Sequence, residues 1–405
     1  MGGSGATDGG RGDDATGPGL PWQSATFYVI VATSMVVPLD VPFVSPTLPV
    51  VAEHFSVTGA RASFVLSAYA APGILSTPVF GVVADRYGRR PVLVTGLLLY
   101  GVFGVSVGFA ETFTQVLALR VLQGILGASV LTTIALTLVG DRYEGPRRDA
   151  TMGVATGVTA LGAAVYPAIG GALAEISWNA PFFGYAVTIP VAVLAFFALK
   201  EPPVDPFEGA GLAYFREALE SLPRRRATLL FATSIAAALV TFGAIFAGAT
   251  FMLAADYGLS AGRIGLYTGA TLFATAVVSS SNGRLSRYAD HSTLIALGFV
   301  GYSVGLVGTW AASSPRGVLL ALLVVGTAHG LVLPTVPSAL SALAPGRFRG
   351  GVLSVRTSLL LVSQTVGPPL FTAPAVALGY GLPLLVAGVV AGLVGSAALL
   401  VLWRR

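Results

Sequence analysis

Asp40 is the first residue here that could do chemistry, because it is a carboxylate inside an apolar run, VVPLDVPFVSPTLP. An isolated acid in hydrocarbon costs several kcal/mol or changes its protonation state, so such acids face a cavity or a partner. Pro38, Pro42, Pro46 and Pro49 interrupt helical bonding around it and free carbonyls to line a cavity. Two roles remain open: a proton carrier, or an acid that bonds freed backbone amides. Arg120 is the matching cation, in LALRVLQGILGA. Counted from the outer ends of their spans, Asp40 lies roughly 12 Å deep and Arg120 roughly 9 Å, close enough in level to interact if their helices adjoin. Asp40 would then take and release a proton while Arg120 responds to its charge; the alternative is an arginine reaching to the interface. His329, Arg356 and Gln364 are the polar candidates of the second half. A mid-membrane histidine either titrates near neutral pH or is a bonded neutral ring, and Arg356, about six residues from a span end, either meets substrate or snorkels.

These residues must be held by membrane helices. Of 405 residues, 54% are hydrophobic and 10% charged, with a mean hydropathy of +0.80. Soluble domains carry about a quarter charged residues, so an integral membrane protein is expected. Cysteine is absent, which excludes disulfides, thiolate metal sites and a cysteine nucleophile. No metal-ligand cluster, phosphate-binding loop or nucleophile–base pair is apparent, so neither an enzyme nor an ATP-driven pump is expected, and no cofactor. The net charge of +5 has no basic domain with interleaved aromatics behind it, so nucleic acid is not an expected partner.

Twelve apolar segments of about 20 residues or more follow one another, enough to cross about 30 Å of hydrocarbon each. The organisation expected is a disordered tail (1–24), a six-helix bundle (25–199), a polar linker (200–226) and a second six-helix bundle (227–405). Within the linker, Leu212 to Leu222 either lies flat at the interface or is a plain connection. Orientation follows from charge. With the amino terminus inside, 18 basic residues fall in inner segments and only Arg61, Arg263 and Arg316 in outer ones. That places both termini in the cytoplasm of a plasma-membrane protein.

The chain also repeats. Adding 201 to residue numbers lays Asp85-Arg86-Tyr87 on Ser286-Arg287-Tyr288, Gly145-Pro146-Arg147-Arg148 on Gly346-Arg347-Phe348-Arg349, and Pro167 on Pro368. Three coincidences at one offset point to parallel six-helix repeats with a site between them.

The stretch GVVADRYGRR, between the second and third spans, resembles the loop signature G-x-x-x-D-R-x-G-R-R of the major facilitator superfamily at Gly81, Asp85, Arg86, Gly88, Arg89 and Arg90. The resemblance implies an all-α fold of two pseudo-symmetric six-helix bundles and a secondary transporter working by alternating access. The residues also make this stretch a candidate gate of the cytoplasmic side, with Asp85 pairing with an arginine or facing a helix amino end such as the eleventh span's; the alternative is an orientation signal alone. Leu39, Asp40, Leu48 and Pro49 resemble an element of the first span of the family's drug exporters. Arg120, Gln123 and Gly124 resemble its R-x-x-Q-G element, which adds Gln123 to the cavity candidates. Gly162, Pro167, Gly170 and Gly171 resemble the antiporter signature G-x-x-x-G-P-x-x-G-G, except that Tyr166 stands where the family has glycine. Gly153-x-x-x-Gly157 would permit a further close helix approach. The function implied is proton-coupled efflux of small, largely apolar organic molecules by a monomer in the bilayer, energised by the proton gradient. The alternatives are a sugar, metabolite or organic-acid carrier of the same fold and, more remotely, a non-transporting sensor.

Overall fold

The computed structural model describes residues 19–127, 131–199 and 212–402, and every regular element among them is helical. Among the described residues nine helices, or ten counting one bent pair, are long and apolar enough to cross a membrane, and two pairs of shorter helices take the second and fourth of the twelve expected places. In the first half, α1 is Ala25–Leu39 with Val41–His54, α2 is Gly59–Ala70 with Gly73–Tyr87 and α3 is Arg89–Val107. Next come α4, Phe113–Leu126 with Thr132–Arg142, α5, Gly145–Ile176, and α6, Ala180–Ala198. The second half holds α7, Arg224–Ala255, α8, Ala261–Leu285, and α9, His291–Ala311. It ends with α10, Pro315–Leu343, α11, Arg349–Leu378, and α12, Gly381–Leu402. We call the arginine-rich ends inner and the opposite ends outer.

The two six-helix bundles meet along α5 with α8, α2 with α11, and α1 with α7. At the centre Ser45 Oγ of α1 donates to the Phe246 carbonyl of α7 (2.7 Å) and lies 3.2 Å from Thr250 Oγ1. The flanking seams are built from glycine. A Cβ on Gly265 would come within 2.1 Å of the Pro167 carbonyl oxygen, and one on Gly171 within 2.2 Å of that of Ala261. Thr372 of α11 donates to Ser63 of α2 (2.9 Å), and Glu175 at the end of α5 accepts from the Gly262 amide of α8 (3.0 Å). All of these contacts lie in the outer half. Towards the inner end the seam opens: Gly153, Gly157 and Gly283 have nothing within 4 Å of an added Cβ. The close approach expected at Gly153 and Gly157 is therefore not made, because α5 has already diverged from its neighbours there.

The polar connection carries a helix, Leu212–Glu220, that docks on the carboxyl half. Tyr214 donates to the Arg347 carbonyl (2.9 Å), and its ring lies 5.6 Å from that of Phe348. Bare Gly351 leaves room for Tyr214 and Ala218. At the other junction, residues 19–24 lie on the inner ends of α4 and α5. Arg147 donates to the Gly19 carbonyl (3.3 Å) and Tyr143 to Ser24 Oγ (2.8 Å).

The stretch from Gly81 to Arg90, which resembles a loop signature, is helical on both sides of one turn residue. Helix α2 runs through to Tyr87, Gly88 alone makes the turn, and α3 begins at Arg89. Gly88 has φ +93° and ψ 155°, a region essentially reserved for glycine, so one residue suffices to reverse the chain.

Candidate functional site

Asp40 sits at the break in α1. Its φ −76° and ψ −105° separate the two segments, which meet at 43°. The flanking prolines supply no amide hydrogen, so carbonyls around the break lack helical partners. At the break itself, Leu39 O accepts from the Tyr185 hydroxyl of α6 (2.6 Å). The Asp40 carboxylate meets the backbone amides of Asp40 and Val41 and is half-buried in the interior.

Arg120 faces it from α4 and is wholly buried. Its Nε donates to Val65 O (3.2 Å), and its Nη1 to Gln123 Oε1 (2.7 Å) and to the Tyr185 oxygen (3.1 Å). Cζ lies 4.7 Å from the Tyr69 ring centroid, a cation–π distance. Gln123 is itself held by the Tyr100 carbonyl (3.4 Å). Every one of these partners is neutral. Nη2 has no partner at all, and no ion pair joins Arg120 to Asp40. The two charges act on each other through space, and a chain of hydrogen bonds links them indirectly: Arg120 donates to the Tyr185 oxygen, and that hydroxyl donates to the carbonyl just before Asp40. The two are near in level, and the contact between them runs through Tyr185. Tyr69, Tyr100 and Tyr185, which the sequence did not single out, close around the guanidinium.

The carboxyl half carries a second polar node. Thr241, 201 residues after Asp40, lies in a π-helical stretch of α7, Val240–Ala249, so both halves depart from regular helix at the equivalent place. Thr241 spends its hydrogen on Ala237 O (2.9 Å), so towards His329 of α10 it can only accept. Its oxygen is 3.3 Å from His329 Nε2, and Tyr302 of α9 lies 2.5 Å from Nδ1. The same Thr241 oxygen is 3.4 Å from Nδ1, so the ring is held between two hydroxyls. His329 is thus a bonded ring at the meeting of α7, α9 and α10. Gln364 of α11 is nearly buried and makes no hydrogen bond. Arg356 of α11 is half-buried with its Nε enclosed and unbonded.

The remaining candidates are spread out. Gly162 packs on Pro38 of α1, Gly170 on the Phe43 carbonyl, and Gly171 and Pro167 on α8. The antiporter-type glycines are thus seams joining α5 to α1 and to the opposite half. Tyr166, in the place of a glycine, turns its hydroxyl to the Met35 carbonyl of α1 (2.9 Å). At the inner end Arg89 pairs with Asp141 of α4, and Arg90 donates to the Phe196 carbonyl of α6 with its Cζ 5.1 Å from that ring. Both arginines therefore bind within the amino half. Arg86 is exposed beside Tyr87, and the side chain of Asp85 lies outside the described residues, as does the surrounding of Gly81. Among the described residues no three His, Asp or Glu side chains gather as a metal site would require.

A family model described as the Major Facilitator Superfamily matches residues 30–255 and 230–405. The chain is 23% identical over 347 residues to the bacillibactin exporter of Bacillus subtilis, covering 81% of this chain and 84% of that one. It is 24% identical over 344 residues to multidrug resistance protein 1 of the same organism, covering 83% and 87%. Its fold is like that of a bacterial homologue of the human lysosomal transporter Spinster in an inward-facing, occupied conformation, with a TM-score of 0.77, 15% identity, and 95% and 98% of the two chains covered.

Proposed function

The chain belongs to the Major Facilitator Superfamily and is a membrane transporter; we propose that it exports small, largely apolar organic molecules in exchange for protons. The observation that carries this reading is the relation of Asp40 to Arg120. A buried guanidinium with only neutral hydrogen-bond partners is costly unless an anion is near. While Asp40 is ionised, it is that anion. When Asp40 takes a proton, Arg120 keeps its charge, its unpartnered Nη2 and no compensation, so the conformation that hydrates or pairs it elsewhere gains in population. The protonation state of one carboxylate then biases the equilibrium between inner-open and outer-open forms. The structure, sealed outside and splayed inside, corresponds to the form that loads cargo from the inner face.

The other assignments follow from this scheme. The α5 glycines make the outer seal. The Gly81 to Arg90 stretch, with Asp85, acts at the inner face when that side closes, while Arg89 and Arg90 hold the inner ends of α4 and α6 in register. Gln123 positions Arg120, and Gln364 offers an unused amide to cargo. The protein works as a monomer in the plasma membrane with both termini inside. The names of the relatives, one an exporter and one a multidrug resistance protein, support export over uptake.

The test is proton movement in reconstituted vesicles. Wild-type protein is expected to move protons when an organic dye is supplied, and Asp40→Asn is expected to exchange dye without moving protons. Undiminished proton-coupled transport by Asp40→Asn would sink the coupling role.

A further inference from the structure

Arg356 is a cation with no ion-pair or hydrogen-bond partner among the described residues. The repeat duplicates the inner-end arginines, since Arg148 and Arg349 are 201 residues apart, but the residue equivalent to Arg356 is Ala155. Arg356 lies seven residues beyond Arg349 on α11, so the two share one helix face about 10 Å apart along the axis. Between them on that face is Leu353. Arg349 and Leu353 line a cleft of about 510 Å³ at the inner end, opposite Pro337, Ser338 and Ser341 of α10. Arg356 therefore lies one step further in along the same stripe.

Arg356 is half-buried. Its Nε is enclosed without a hydrogen-bond partner, and it forms no ion pair. The titratable group that feels its charge is His329, itself bonded between Thr241 and Tyr302. The amino half adds a second guanidinium, Arg120, whose Nη2 is likewise unbonded. Against these two cations, Asp40 is the one acidic side chain described deep within the spans. A half-buried guanidinium nitrogen without an acceptor is costly to maintain, and a ligand carboxylate or sulfonate would satisfy it through charge-assisted bonds.

We propose that the stripe from Arg349 to Arg356 is an anion-capturing track, and that the preferred cargo is an amphiphile with a single negative charge. This rests on the exporter reading and narrows its substrate class. Arg349 at the mouth attracts the anionic head from the inner aqueous phase, Leu353 accommodates apolar surface beside it, and Arg356 receives the head inside. One positive step, with no second cation on the stripe beyond it, suits one charge.

The probes are three dansyl amides of equal chain length ending in sulfonate, methyl or trimethylammonium, titrated by fluorescence against the purified full chain in lipid nanodiscs. The sulfonate is expected to bind tightest. Arg356→Gln is expected to weaken the sulfonate about tenfold, the loss of one charge-assisted bond, while leaving the methyl probe unchanged. Unchanged methyl-probe binding also reports that the variant is folded. Arg356→Lys, which keeps the charge, is expected to recover most of the difference. Arg349→Gln is expected to slow sulfonate association at low salt more than at high salt.

Equal binding of the three probes, preference for trimethylammonium, or no saturable sulfonate binding each overturns the proposal. An equal loss of all three probes in Arg356→Gln with no recovery in Arg356→Lys also overturns it, by making the residue structural. The exporter reading fails separately, if no probe that binds drives protons in vesicles. Proton-driven movement of the cationic probe alone would leave export standing and remove the anion track.

Discussion

Ser45 donates its hydroxyl to the carbonyl of Phe246 across 2.7 Å, and these residues are 201 positions apart, the offset of the internal repeat. Equivalent positions in two related halves can touch only on the axis that relates them. The contact therefore marks the pseudo-two-fold axis in the outer half, where α1 and α7 close the passage. Proline-rich α1 and π-helical α7 supply the irregular backbone that lets a carbonyl accept from a neighbouring helix there.

Closure at the axis can be locked. Ser45 and Thr250 hydroxyls are 3.2 Å apart, and the chain contains no cysteine, so a Ser45→Cys/Thr250→Cys pair can be made without a background substitution. Oxidation is expected to cross-link the pair and reduce transport in vesicles to near background, with recovery on reduction. Full transport by the oxidised, cross-linked pair would mean that this contact does not open.

Adding a methyl group to the seam should push the other way. Gly265→Ala places a Cβ against the Pro167 carbonyl, and backbone on both sides leaves no flexible group to yield. The outer seal is expected to open more often. In a Ser45→Cys background, labelling by a membrane-impermeant thiol reagent from outside is expected to rise several-fold. Unaltered labelling would show that the seam has slack.

The Arg120 relay depends on one hydroxyl. Tyr185→Phe removes an acceptor from a buried guanidinium and a donor from Leu39 O, a loss of about 1–3 kcal/mol by the usual cost of unsatisfied buried polar groups. A lowered melting temperature together with impaired proton coupling is expected. Lowered stability with normal coupling would reduce Tyr185 to a packing role.

At the inner turn, Gly88→Ala is expected to destabilise the protein by roughly 1–2 kcal/mol, the cost of a side chain at left-handed φ. Thermal unfolding in detergent measures it; a neutral result would mean that the α2–α3 turn rearranges at no cost.

Much of this architecture was legible before any coordinates. The apolar run lengths give twelve spans, and four prolines around Asp40 announce a broken helix. The shell of Arg120 was not legible, because Val65, Tyr69, Tyr100 and Tyr185 come from three other helices and nothing local distinguishes them from ordinary span residues. Thr241 could have been found, since the offset of 201 carries Asp40 onto it, but a threonine in a span excites no suspicion. The inner motif was read as a loop because arginines and glycines suggest one; a helix tolerates arginines once its end has left the hydrocarbon. Gly153 and Gly157 show the limit of a spacing argument, for the spacing permits an approach that the diverging helices do not make.

The glycine seam carries a thermodynamic consequence of its own. Ordinary interfaces order side chains as they form, at up to about 2 kcal/mol for each long one. Where Gly171, Gly265 and Gly269 meet bare carbonyl oxygens, there is no rotamer to freeze on closing and none to release on opening. Such a joint can shut and part with little entropic penalty either way, which keeps its two positions nearly level in free energy. A single proton or one small ligand is then enough to tip it.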